Sequence, residues 1–251
     1  MSRITQKGAT GGLAIVANGA FQTSTDASNK TLVGTRWDLS DGREAMLVRA
    51  GAVDVAPGKL YQDAAIVANH QNLTVTAYTA YSANGNVPAS VAVTLGATAA
   101  TANQYAGGFV MVNSSTGAGQ TLRIASHPAA GSGAGLVLTL EDGASSTAIT
   151  TSSKVCLLPA HGADVIVYPT TDTGAVVGVG LYTITAATYG FVISKGLVAC
   201  LADGAIAVGS SISPSGVVAG AVKTGVLADG IIGNANQAGV DTEYRSIFIN
   251  A

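Results

Sequence analysis

The sequence predicts an all-β protein built from two β-sandwich or β-barrel modules, one inserted into the other, with an extended N-terminal arm. Three observations carry that expectation. Apolar residues recur at alternate positions in short runs, the period of a half-buried strand. Gly, Pro, Asn and Ser interrupt the chain every eight to twelve residues, the spacing of turns in sandwiches and barrels. Charge is also gathered in one place. Residues 36–59 hold eight charged side chains, four of each sign, whereas the 59 residues from Ala64 to Leu122 hold no Asp, Glu, Lys or Arg.

Residues 1–32 combine GATGG and FQTSTDASNKT with one candidate strand, LAIVA at 13–17. So few apolar anchors predict an arm ordered by the body of the protein or by a neighbour. Arg36 to Leu39 then leads into the Asp41-Gly42 turn, and AMLV at 45–48 leads out, which predicts a β-hairpin with its charges on the tip and solvent side. A short strand around Val53 and Val55 ends in the turn Ala56 to Lys59. Further strands are expected at LTVTAYTAY (73–81), SVAVTL (90–95), GFVMV (108–112), TLRIAS (121–126), LVLTL (136–140), DVIVY (164–168), YTIT (182–185), GFVIS (190–194) and SIFIN (246–250). Turns are expected at SANGN (82–86), where Asn-Gly tolerates positive φ, and at SPSG (213–216), with Pro at the position that wants φ near −65°. Residues 45–62 and 190–212 share a pattern of strand, basic residue, Gly, second strand and Gly turn. The expected organisation is an arm at 1–32, one module from 33–68 plus 164–251, and an inserted module at 69–163.

Composition excludes several classes of function. Only 10% of the 251 residues are charged, against roughly 25% in an average soluble domain. Hydrophobic residues make up 48% and the mean hydropathy is +0.41, yet 32 glycines break the apolar runs. The best membrane-span candidate, residues 174–193, is interrupted by Gly178, Gly180, Thr183, Thr185, Thr188 and Gly190, and reads as strands. MSRITQKGATGG has no compact apolar region ending in a cleavage site, so no secretory signal is expected and assembly in a cytoplasm is. A net charge of −2 and a pI near 5.8 lack the clustered basic surplus that nucleic acid requires. Cys156 and Cys200 read as two buried reduced thiols, with a disulfide as the open alternative. A surface this poor in charge points to cover by neighbouring subunits, because a free monomer keeps itself soluble with mixed charge.

No catalytic constellation is present in the sequence, so an enzyme, a cofactor or a metal site is not expected. His70, His127 and His161 lack a second ligand at metal spacing and read as surface or turn residues. STGAGQT (115–121) and AGSGAGL (130–136) lack the Lys-Ser/Thr ending of a phosphate loop and read as hairpin turns. Glu141-Asp142 before Gly143 reads as a turn rather than a catalytic carboxylate pair. Two sets of residues remain as contact candidates. Arg36, Asp41, Arg43 and Glu44 form a charged hairpin able to dock by electrostatic complementarity; the alternative is a solvated hairpin whose charges guard a sheet edge. Tyr78, Tyr81 and Tyr105 could supply rings on which a glycan stacks.

The segment ANQYAGGFVMVNSSTGAGQTLRIASH (102–127), followed by LVLTL and then DVIVYP, resembles a class of structural proteins encoded by tailed bacteriophages, marine ones especially. TRWDLSDGREAMLVRAGAVDVAPGKL resembles their N-terminal segment, AATYGFVISKGLVACLADG their Tyr-Gly strand and hairpin, and VGSSISPSGVVAG to IIGNANQAG the closing hairpins of phage head-decoration proteins. The resemblance implies a non-catalytic capsid decoration, or cement, protein. Its partners would be the major capsid protein and further copies of itself, by analogy a trimer, with no nucleic acid or membrane, on the capsid surface of the virion after assembly in the host cytoplasm. A small decoration protein needs a single β-module. The additional region 69–163 therefore leaves open a receptor-binding or tail-fibre-like module that recognises host surface glycans.

Overall fold

In the computed structural model, residues 23–82, 87–141 and 147–251 are described, together with the backbone of three short N-terminal strands. The strands are β1 (Thr5–Gln6), β2 (Val16–Ala17), β3 (Ala20–Phe21), β4 (Arg36–Asp38), β5 (Glu44–Arg49), β6 (Leu60–Gln62), β7 (Leu73–Thr79), β8 (Ser90–Thr94), β9 (Phe109–Ser114) and β10 (Thr121–Ser126). They continue with β11 (Gly135–Leu140), β12 (Lys154–Leu158), β13 (Ile166–Val167), β14 (Val176–Gly180), β15 (Tyr189–Leu201), β16 (Ser211–Pro214), β17 (Val222–Thr224), β18 (Gly233–Ala235) and β19 (Tyr244–Asn250). Helical structure among the described residues is confined to short 3-10 segments, so the protein is all-β.

The chain divides into two compact units, residues 1–65 with 161–251 and residues 66–160. The second is a closed antiparallel barrel in the order β10-β11-β8-β7-β12-β9. Four of its strands alternate: Val91 and Val93, Val110 and Val112, Leu122 and Ile124, Leu136 and Leu138 are buried and fill one core with Tyr105 and Leu157. Closure removes the exposed strand edges that a module so poor in charge could not otherwise protect. Ser115, Gly117 and Gly119, all at positive φ, form the turn between β9 and β10, as STGAGQT predicts.

The first unit is a curled sheet in the order β1-β4-β5-β15-β19-β18-β16-β17, with β14 joining β15 to β6 and β13 pairing with β6. Met46, Val48, Val55, Tyr61, Val177, Ile184 and Val192 form its core. The two segments with a shared sequence pattern lie side by side: β5 pairs antiparallel with β15 from Arg49↔Tyr189 to Glu44↔Lys195.

Several expectations need correction. YTIT forms no strand; Ile184 makes a single bridge to Val55, and Tyr182 instead turns its hydroxyl to accept the Phe191 N–H at 2.9 Å. Val53 is 70% exposed, so the strand expected around Val53 and Val55 reduces to that bridge. Pro214 is the last residue of β16, opposite Val222, and the turn is made by Ser215, whose hydroxyl accepts the N–H groups of Val217 and Val218 at 3.0 and 2.9 Å. Residues 27–32, expected to be extended, form a 3-10 helix that Asp26 caps through the Ser28 N–H at 2.9 Å. The expected Asn-Gly turn at 83–86, the Asp142-Gly143 turn and most of the arm before Thr23 lie outside the described residues.

Candidate functional site

The charged hairpin forms, and its charges largely answer one another. In the β4–β5 register Asp38 lies opposite Glu44 and Arg36 opposite Met46. Arg36 reaches across to Glu44, with Nη1 donating to Oε1 at 2.9 Å. Glu44 is buried, at 8% exposure, and its Oε1 lies 3.4 Å from the Ser194 hydroxyl. At the tip, Arg43 donates to Asp41 through its backbone N–H at 3.1 Å and through Nε at 2.8 Å. Those bonds hold the Asp41 carboxyl below its usual range. Arg36 and Glu44 are thus tied into the sheet, Asp41 is the member of the set most open to solvent, and Arg43 is half-buried beside it.

The three tyrosines do not form an exposed cluster. Tyr105 is 2% exposed and belongs to the barrel core, which corrects its candidacy as a glycan platform: a ring already packed on both faces has none to offer a sugar. Tyr78 is half-buried against the same core, and Tyr81 is 49% exposed just beyond β7.

Histidine burial was not legible in the sequence. His70 is fully buried, hydrogen-bonded to the Tyr105 hydroxyl and, through Nε2, to the Thr98 carbonyl at 2.9 Å. His127 is 4% exposed and accepts the Tyr105 backbone N–H on Nε2 at 3.0 Å. Only His161 keeps the expected partial exposure, and its Nδ1 lies 2.7 Å from Asp63. No group of three His, Cys, Asp or Glu able to hold a metal occurs among the described residues. Cys156 and Cys200 are both buried and free.

The first unit also holds an open hollow of about 370 Å³ lined by Arg49, Gly51, Ala52, Ala64, Asp164, Ile166 and Ala187. Arg49 is ion-paired with Asp164 there, so the hollow offers small apolar walls and one charge pair already matched.

The most unusual surface lies outside the contact candidates that the sequence offers. In its second half β15 alternates exposed and buried residues, and it pairs with β19 so that Leu197 faces Phe248, Ala199 faces Ser246 and Leu201 faces Tyr244. Leu197, Phe248 and Tyr244 are 47%, 49% and 53% exposed, whereas Val198, Cys200, Ile247 and Ile249 are buried beneath them. A sheet with one wet face alternates apolar-in and polar-out. Here both faces carry apolar side chains. The signal lay in GLVACL (196–201), which is apolar at both parities.

No protein-family model, no curated protein and no solved structure matches this chain.

Proposed function

We propose that the protein is a bacteriophage capsid decoration, or cement, protein that binds the assembled head lattice and stabilises it by many weak non-covalent contacts. The observation that carries this reading is the apolar outer face of β15 and β19, in a chain with too little charge to keep such a face solvated. Half of two aromatic side chains amounts to roughly 200 Å², worth about 5 kcal/mol when fully covered. Association alone costs a comparable amount, so one such contact gives weak pairing. Repetition over a lattice converts weak pairing into firm attachment. In this reading Asp41 and Arg43 at the hairpin tip contribute register on the lattice, and the major capsid protein and further copies of this chain are the partners.

The test is to mix the purified chain with undecorated heads of the encoding phage and to measure occupancy and the temperature at which the heads disrupt. Saturable occupancy with a raised disruption temperature supports the reading. Absence of the chain from heads at saturating concentration overturns it.

A further inference from the structure

The barrel unit contains a buried histidine whose hydrogen bonds require a neutral ring. His127 Nε2 lies 3.0 Å from the backbone nitrogen of Tyr105, which can only donate. Its Nδ1 lies 2.8 Å from the Pro128 carbonyl oxygen, which can only accept. The ring must therefore carry its proton on Nδ1 and present a bare Nε2 to the Tyr105 N–H. A second proton on Nε2 would set two donors face to face. The backbone N–H cannot rotate away, so the conflict is relieved only by moving the segment that carries it.

That segment is the loop from Ala100 to Gly108, pinned to the end of β10 at three further points. Asn103 Oδ1 accepts the His127 N–H at 2.8 Å, the Asn103 N–H donates to the His127 carbonyl at 3.0 Å, and the Gly107 N–H donates to Ile124 at 2.8 Å. Tyr105 at its centre lies between the two histidine rings, with ring centroids 5.9 Å from His127 and 5.6 Å from His70. Among the described titratable groups around His127 are the Tyr105 phenol and, beyond it, His70. The phenol stays neutral through this range, because burial pushes it up to about 12. His70 differs from His127, since its Nδ1 meets a hydroxyl, which can either donate or accept. Among the described charged side chains of the unit, Arg123 pairs with Glu141 and Lys154 donates to the Thr74 hydroxyl.

We propose that His127 is an acid-sensitive latch: its protonation releases the loop at Ala100 to Gly108 and opens that end of the barrel. With the loop released, Nε2 meets water instead of an N–H donor and is free to take up a second proton. The open state therefore binds more protons than the closed one, and the latch weakens as pH falls. This inference is independent of the capsid reading and survives its failure.

The test is hydrogen exchange of the whole chain across pH 7.5 to 4.5, corrected for the intrinsic pH dependence of exchange, in the wild type and in His127→Gln. A glutamine amide can accept from Tyr105 and donate to Pro128 without titrating. Expected is a loss of protection at residues 101–108 of tenfold or more in the wild type on acidification, with the glutamine variant flat. Equal behaviour of the two proteins, or a wild type without pH dependence at these residues, overturns the proposal. Should the variant fold poorly, the nitrogen chemical shifts of the wild-type ring decide. The proposal requires the Nδ1–H form at pH 7.5 and loop release in step with its protonation; an Nε2–H ring, or protonation with the loop still protected, overturns it.

Discussion

Asp63 accepts two hydrogen bonds at the point where the chain leaves and re-enters its first unit: one from the His161 ring at Nδ1 and one from the Gly162 backbone N–H, both at 2.7 Å. The chain departs two residues after Asp63 and returns at His161, so one carboxylate ties both stems of the 95-residue excursion. Removing it strands a backbone donor and a ring nitrogen. Asp63→Ala should lower stability by about 1–3 kcal/mol, and Asp63→Asn by less, because the amide oxygen still accepts from Gly162. Urea denaturation at pH 7 checks the order; equal midpoints for wild type and Asp63→Ala would show that the stems are held without it.

The hairpin charges divide into two classes with separable effects. Arg36→Ala removes one partner of the buried Glu44 and should cost about 1–3 kcal/mol, reduced from the fully buried case because Arg36 is partly in water. Arg43→Ala removes an exposed tip pair and should cost no more than about 0.5 kcal/mol. Arg43→Glu combined with Asp41→Arg is consequently the clean test of docking, since it reverses the tip and spares the sheet. Unchanged occupancy on phage heads across a salt series, with folding intact, would assign the tip to edge protection.

Phe248→Lys and Leu197→Lys place a charge on the outer face of β15 and β19, where the side chains already reach solvent. Stability should stay within about 0.5 kcal/mol of wild type. Concentration-dependent self-association, read by sedimentation velocity, should fall in both variants. A wild type that sediments as a monomer at every concentration up to the millimolar range would remove the face from any assembly role.

Much of this fold was legible because local pattern and tertiary demand agree. TLRIAS becomes β10 residue for residue, since its alternation is strict and a glycine turn bounds it. GFVIS falls seven residues short of the C-terminal end of its strand. Lys195-Gly196 looks like a strand end, but β15 shifts register against β5 between Ile193 and Lys195 and runs on, through Gly196 at φ +108, to Leu201. Pro214 reads as a turn residue, yet Ser215 supplies the turn through its own hydroxyl and leaves the proline at the end of the strand. The buried histidines were beyond local reading, because the partners of His70 are 28 and 35 residues away and Tyr105 lies 22 residues from His127. The apolar outer face was missed for another reason: a run apolar at both parities reports burial on both sides without naming what covers the second side.

Burial pushes the Cys200 thiol up to about 12 from an ordinary value of 9.0, and the Tyr105 and Tyr182 phenols to about 12 from 10.0. The native state therefore keeps protons that the unfolded chain releases, and stability should fall as pH rises from about 9 toward 12. Below about pH 8 these groups add almost no pH dependence. Cys200 should also resist alkylation at pH 8.5 in the native protein and react at once in denaturant. Rapid native labelling would mean that β15 opens at that position without global unfolding.

Gly34 and Gly42 form a matched pair for separating two costs of replacing glycine. Their φ values are nearly equal, +85 and +83, so alanine meets the same backbone penalty at both, about 1 kcal/mol. Their surroundings differ completely. A Cβ on Gly42 meets nothing within 4 Å at the hairpin tip, whereas one on Gly34 stands 2.8 Å from the His161 carbonyl oxygen. That oxygen belongs to a backbone fixed by Asp63 through the adjacent Gly162 and His161, so it cannot yield without stretching those bonds. Gly34→Ala should therefore exceed Gly42→Ala by about 1–2 kcal/mol, and the excess should shrink in an Asp63→Ala background, where the stem is free to move. A double-mutant cycle by urea denaturation measures that coupling; strict additivity of Gly34→Ala and Asp63→Ala would show that Gly34 packs against a stem held by something other than Asp63.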